Sequence, residues 1–154
     1  MPNSKTALHA NDIEMHTGSG YPAPHDVPCR QRRRRRLGDA FGLNQFGVNL
    51  LELPPGAWSS QRHWHERQDE FVYVVEGEVT LVTNEGDTVL TAGMVAGFRA
   101  GEANGHHLTN RSNAVARVLE VGTRTTEETA HYPDIAMMYR EGEGYLTANG
   151  RPLK

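Results

Sequence analysis

The chain has one cysteine, Cys29, so no internal disulfide can staple the fold, which agrees with a reducing compartment. It lacks any apolar run near the ~20 residues needed to cross a membrane. Its opening, MPNSKTALHANDIEMHTGSG, is too polar for a secretory signal. These absences predict a cytoplasmic protein with no membrane partner. Nor is there an excess of positive charge: the net charge is −3. With no recognition-helix pattern and no stacking aromatics beside its arginines, nucleic acid is an unlikely partner. At 154 residues the chain has room for about one domain, which can bury a core without metals or disulfides as staples.

From about Gly42 the sequence consists of short apolar stretches broken by turn residues: FGVNLLEL, HWHE, EFVYVVEG, EVTLVTNEGD, TVLTAGMVAGF, HHLTN and AVARVLEVG. Strands of this length and spacing predict an all-β sandwich or barrel, with no ordinary helix. Asn84-Glu85-Gly86-Asp87 supplies hairpin chemistry, and Gly93 and Gly101 permit positive φ. Three parts follow: an irregular, Arg-rich N-terminal arm over 1–40, a barrel over 41–123, and a C-terminal tail over 124–154 that packs on the barrel. Tail residues His131, Tyr132 and Asp134 read as a turn with a packed ring, and Asn149-Gly150 as a terminal hairpin.

Six of the fourteen arginines fall between Arg30 and Arg36. The favoured reading is a solvated or subunit-crossing segment whose charge meets an otherwise acidic barrel. The alternative is an anion or nucleic-acid contact, because clustered arginines pair well with phosphate.

His63-Trp64-His65 is the most informative stretch. On a strand His63 and His65 share one face. Glu70 opens a run that reads as a hairpin turned near Gly77, which would carry its carboxylate alongside the two imidazoles. The segment AGMVAGFRAGEANGHHLTN offers His106 as a fourth ligand, and the opposite parity of His107 means that only one of the pair can face a cavity. A lone His-x-His is more often a satisfied polar pair than a site. The carboxylate, the flanking glycines and the distant histidine change that balance. Three imidazoles and one carboxylate suit one divalent transition metal ion, Fe, Mn, Ni, Co, Cu or Zn, and poorly suit Ca or Mg. Structural sites are closed and commonly cysteine-rich, so an open site on a transition ion is expected instead.

At these residues the chain resembles the cupin superfamily, in its compact single-domain bacterial form. Gly56, His63, His65, Glu70 and Gly77 match the first cupin motif, with six residues where five are usual after Gly56. Gly93, Gly101, His106 and Asn110 match the second, with Arg99 where proline is usual and four residues where two are usual between Gly101 and His106. The resemblance covers roughly residues 45 to 123, and the spacing to Asn110 favours His106 over His107. It implies a double-stranded β-helix, a jelly roll with the ligands inside near one mouth. It also implies a homodimer of packed sheets, consistent with an outward stripe of Phe71, Tyr73 and Val75.

The expected function is action on a small oxygen-rich molecule, such as a carboxylate, an enolizable ketone or a sugar acid, with the metal as Lewis acid or O₂ activator. A dioxygenase, isomerase, lyase or decarboxylase would each fit. Gln61, Arg99 and Arg111 are the pocket candidates, although surface charge is the favoured role for both arginines. The alternative is a non-catalytic binding or sensor protein that uses the same metal-lined pocket.

Overall fold

The computed structural model describes residues 4–153. Its strands are β1 (Met15–Thr17), β2 (Arg33–Arg36), β3 (Phe46–Leu53), β4 (Trp64–His65), β5 (Glu70–Glu76), β6 (Glu78–Thr83) and β7 (Gly86–Thr91). They continue as β8 (Val95–Phe98), β9 (His107–Thr109), β10 (Ala116–Thr123), β11 (Thr129–Tyr132), β12 (Met137–Arg140) and β13 (Gly144–Thr147). Among the described residues the only helical pieces are single 3-10 turns. The strands form a six-stranded sheet in the order β1-β2-β3-β10-β5-β8, a three-stranded sheet β7-β6-β9 and a four-stranded sheet β13-β12-β11-β4. Every pairing is antiparallel. The fold is all-β, as the strand pattern predicts, and its antiparallel sheets form the jelly roll that the resemblance implies.

Side-chain alternation builds the core. Leu51 and Leu53 of β3, Val72 and Val74 of β5, Val79 of β6, Leu90 of β7, Leu108 of β9 and Val118 of β10 interlock between the sheets. Each such aliphatic side chain contributes roughly 1.5–3 kcal/mol by leaving water. The other parity of β5 faces outward: Phe71, Tyr73 and Val75 are 42%, 41% and 48% exposed. Asn110 is fully buried and clasps two segments, its Nδ2 donating to the carbonyls of Leu53 and Ala114 and its Oδ1 accepting from the Ser112 backbone and hydroxyl.

Two local expectations change. Gly77 does not turn a hairpin: β5 pairs with β10 and β8, β6 pairs with β7 and β9, and Gly77 is the corner where the chain changes sheets. Its φ is +79°, and a Cβ there would lie 3.0 Å from Ala116 Cα and from the Val115 carbonyl oxygen, so the corner requires glycine. The segment 1–40 is not an irregular arm throughout, because β1 and β2 extend the large sheet and Arg33, Arg34, Arg35 and Arg36 lie opposite Glu52, Leu51, Leu50 and Asn49 of β3. Arginine strand content was missed because its charge masks the alternation that apolar residues reveal. The C-terminal segment likewise holds its own strand pairs, and β11 pairs with β4, which ties it to the His63–His65 stretch.

Candidate metal centre

His63 and His106 form an isolated antiparallel bridge: the His63 N–H donates to the His106 carbonyl at 3.1 Å, and the His106 N–H to the His63 carbonyl at 2.9 Å. Two residues on, His65 in β4 turns the same way. Glu70, at the start of β5, comes from the large sheet rather than from a neighbouring strand of β4. All three imidazoles reach one oxygen: Nε2 of His63, His65 and His106 lie 3.2, 2.6 and 3.2 Å from Glu70 Oε1. The donor atoms of His63, Glu70 and His106 all lie within 4.8 Å of one another.

The other ring nitrogens decide what these contacts mean. His63 Nδ1 lies 2.9 Å from the Gln61 carbonyl, His106 Nδ1 3.1 Å from the Asn104 carbonyl, and His65 Nδ1 3.2 Å from Glu128 Oε1. Each partner is an acceptor, so in a neutral ring Nδ1 carries the proton and Nε2 presents a lone pair. Three lone pairs then face a carboxylate oxygen, which is repulsive unless a cation lies among them. Full protonation of the rings would instead crowd three positive charges around one carboxylate. His63, Glu70 and His106 could therefore hold a divalent ion together, with His65 Nε2 facing the same oxygen and an acceptor on each Nδ1 as metal-binding histidines require.

Surrounding groups hold this arrangement. Burial opposes ionisation of Glu70, yet where no ion is bound and a proton takes its place on Nε2, the charge of His63 and hydrogen bonds from His106, His63 and His65 lower the Glu70 pKa well below the usual range. Burial also opposes a charge on His65, but Glu70 and Glu128 on its two sides outweigh it and raise its pKa. The ring of Phe98 stacks on His106 at 3.5 Å between centroids, and Tyr132 lies 5.6 Å from His63. His107 points elsewhere: its ring meets Trp58 edge-on at 4.7 Å and its Nδ1 lies 2.8 Å from the Ser60 carbonyl. His106 is thus the one that joins Glu70.

Above the ligands lies a cavity of about 200 Å³, walled in part by Tyr21, Arg32, Arg34, Ser60, Glu120 and Tyr145. The alternation of β2 splits the arginine run. Arg33 faces outward to Glu52 at 3.4 Å, while Arg34 turns in and binds Glu120 through Nε and Nη2 at 2.7 and 3.0 Å. Burial opposes the charge on Arg34, but Glu120 more than compensates and raises its pKa. Arg32 donates to the carbonyls of Gly18 and Ser59, and its guanidinium lies 5.9 Å from the Tyr21 ring.

The pocket candidates read from sequence lie off this cavity. Gln61 is buried, but its amide donates to the His25 carbonyl at 2.7 Å. Arg99 pairs with Glu102 at 3.3 Å and Arg111 with Asp87 at 2.6 Å, both at the surface, as charged side chains prefer. Glu128 escaped the sequence reading although it holds His65 and accepts from the backbone N–H of Glu66 and Arg67 at 3.1 and 3.0 Å. Tyr132, read from the sequence as a packed ring in a turn, is packed beside Tyr21 and Tyr145, and burial pushes its phenol well above its ordinary pKa. No spacing rule links positions so distant from the histidines; only the β4–β11 pairing does so.

Residues 49–122 match the family model described as Cupin domain. A sugar phosphate isomerase of the cupin superfamily from Silicibacter pomeroyi DSS-3 is 46% identical, with 96% of each chain covered and a TM-score of 0.92. A protein from Acidithiobacillus ferrooxidans, described as a candidate sugar phosphate isomerase, is 27% identical over 80% of this chain and 81% of its own, with a TM-score of 0.73. The polyketide cyclase RemF from Streptomyces resistomycificus, 20% identical over 77% of this chain and 79% of its own with a TM-score of 0.61, shares the fold. No curated protein matches the chain.

Proposed function

Because the chain belongs to the cupin superfamily, we propose that it is a metal-dependent enzyme that isomerises a small phosphorylated sugar. The observation that carries this reading is the convergence of three Nε2 atoms on Glu70 Oε1 beside an open, arginine-bearing cavity. The 46% identical relative described as a sugar phosphate isomerase supports it. His63, His65, Glu70 and His106 hold one divalent transition metal, Fe, Mn, Ni, Co, Cu or Zn. Such an ion supplies Lewis acidity toward a carbonyl and its neighbouring hydroxyl. The chain's own contribution is to fix the imidazoles through Gln61, Asn104 and Glu128 and to surround the substrate with Tyr21, Ser60 and Glu120.

The working form is a homodimer that buries the outward face of β5, where Phe71, Tyr73 and Val75 join Val95 of β8 in an exposed apolar patch. The setting is the cytoplasm, where the free, buried Cys29 stays reduced. Among the described residues no helix is long and apolar enough to cross a membrane.

The test is a panel of aldose and ketose phosphates incubated with metal-loaded protein in deuterated water and followed by NMR. Interconversion or deuterium exchange next to the carbonyl is expected, and its loss in His106→Ala. Tight ligand binding with no turnover under any of the six metals would overturn the enzyme reading in favour of a binding protein.

A further inference from the structure

We infer that Arg32 and Arg34 seat the phosphate monoester group of the substrate, in the same cavity that holds the metal ligands. This rests on the sugar phosphate reading and names the residues that would select for it. Arg34 lies in β2 and Arg32 two positions earlier, just ahead of the strand, where the Gly18 N–H donates to its carbonyl at 2.9 Å. Both line the cavity.

Their hydrogen bonds leave specific donors open. Arg32 commits Nε to the Gly18 carbonyl and Nη1 to the Ser59 carbonyl, which leaves Nη2 without an acceptor among the described residues. Arg34 commits Nε and Nη2 to Glu120 and to the Ser59 carbonyl, which leaves Nη1 in the same condition. Neither open nitrogen is among the buried polar atoms that lack a partner, whereas Nε of Arg33 and of Arg35, on the opposite face, are. The open donors on the inner face therefore reach solvent.

The charges add a second argument. Glu120 pairs with Arg34, but Arg32 makes no ion pair among the described residues: it donates only to the carbonyls of Gly18 and Ser59, Tyr21 lies beside it, and burial and the charge of Arg34 oppose its own charge more than the field of Glu120 supports it. A partly buried guanidinium held by neutral acceptors is an uncompensated cation, and an anion entering the cavity would compensate it. One open Nη nitrogen on each of two guanidinium groups, with two N–H donors apiece, suits an anion with three peripheral oxygens better than a carboxylate, whose two oxygens pair with a single fork. A chelating oxygen pair already has its place at the metal ligands.

The test titrates inorganic phosphate calorimetrically into the metal-free full chain, so that no ion can hold it. Saturable binding of one phosphate per chain is expected. Arg32→Gln should weaken it about 10-fold to 100-fold, as loss of a hydrogen-bonded charge does. Arg33→Gln, on the outer face, should leave it unchanged. Should Arg32→Gln fail to fold, as judged by its melting transition, Arg32→Lys decides instead, because it keeps the charge and loses the fork: several-fold weaker binding supports the assignment, and undiminished binding refutes it. Absence of saturable binding to the wild type, or equal loss in Arg33→Gln, would also overturn it. Phosphate binding that depends on Arg32, with no isomerisation, would sink the enzyme reading alone. Turnover of sugars without phosphate binding at Arg32 would sink this assignment alone.

Discussion

The cavity has two kinds of wall. One is the cluster of His63, Glu70 and His106, with His65 beside it, supplied by the middle of the chain. The other comes from the two ends: Tyr21, Arg32 and Arg34 before the barrel and Tyr145 after it, with Glu128 and Tyr132 packed behind the histidines. The first wall follows from strand parity and one backbone bridge, and any jelly roll with these ligands would have it. The second orients one ligand, His65, through Glu128 and brings the two arginines to the cavity, so on the proposed reading specificity belongs to the ends. The largest effects should come from breaking the first wall. Glu70→Ala or His65→Ala should lower metal affinity by more than the ~10-fold to 100-fold typical of losing an outer partner. Metal analysis after gel filtration checks this, and His106→Ala should release the ion while His107→Ala keeps it. The reverse result for the two histidines would mean that the register at Gly105 is shifted by one residue.

Glu128 is where the second wall supports the first. Its carboxylate holds His65 Nδ1 and receives two backbone N–H groups. Glu128→Gln preserves the shape but loses the charge that favours the Nδ1 proton, and metal affinity should fall about 10-fold to 100-fold. Wild-type affinity in this variant, measured by competition with a chelator, would show that the C-terminal segment packs beside the centre without tuning it.

The middle of the chain was legible because its signals are local. His-x-His parity, Glu70 and the spacing to His106 identified the cluster, and the alternation of β5 separated Val72 and Val74 inside from Phe71, Tyr73 and Val75 outside. Such rules act over a few residues. The contribution of the ends was hidden because it depends on pairings between distant segments: β2 with β3, and β11 with β4. Six arginines among seven residues resemble a solvated tail until pairing with β3 assigns alternate ones to opposite faces. Arg99 and Arg111 were pocket candidates with surface charge as their favoured role, and their loops carry them outward to Glu102 and Asp87.

Proton linkage gives a more moderate effect that separates the centre with its ion from the centre without it. In the metal-free chain Glu70 has a depressed pKa, so its contribution is present above the unfolded value and lost as pH falls through the folded one. His65 has a raised pKa, so its contribution is present below the unfolded value and lost as pH rises through the folded one. The metal-free protein should therefore be most stable in mild acid. Ligation demands neutral imidazoles and an ionised Glu70, so the metal-loaded protein gains stability toward neutral pH. The difference in melting temperature between the two forms should widen from about pH 5 to about pH 8. A constant difference would mean that protons and metal do not compete at these residues.

The smallest effect on the cavity should come from the outer face of the same strand that carries Glu70. Tyr73 lies opposite Leu119 on one side and Val95 on the other, so an apolar row crosses three strands on the solvent side of the large sheet. A charge placed there would cost the desolvation of a carboxylate if a second copy covers the row, and almost nothing if water does. Tyr73→Asp should convert a dimer to a monomer in sedimentation velocity at micromolar concentration. Metal content and phosphate binding should stay at wild-type levels, because parity keeps residue 73 away from the cavity. A wild type that already sediments as a monomer would refute the dimer. A Tyr73→Asp monomer that also loses its metal would show that the two faces of β5 are coupled, and that subunit assembly is part of how the centre is held.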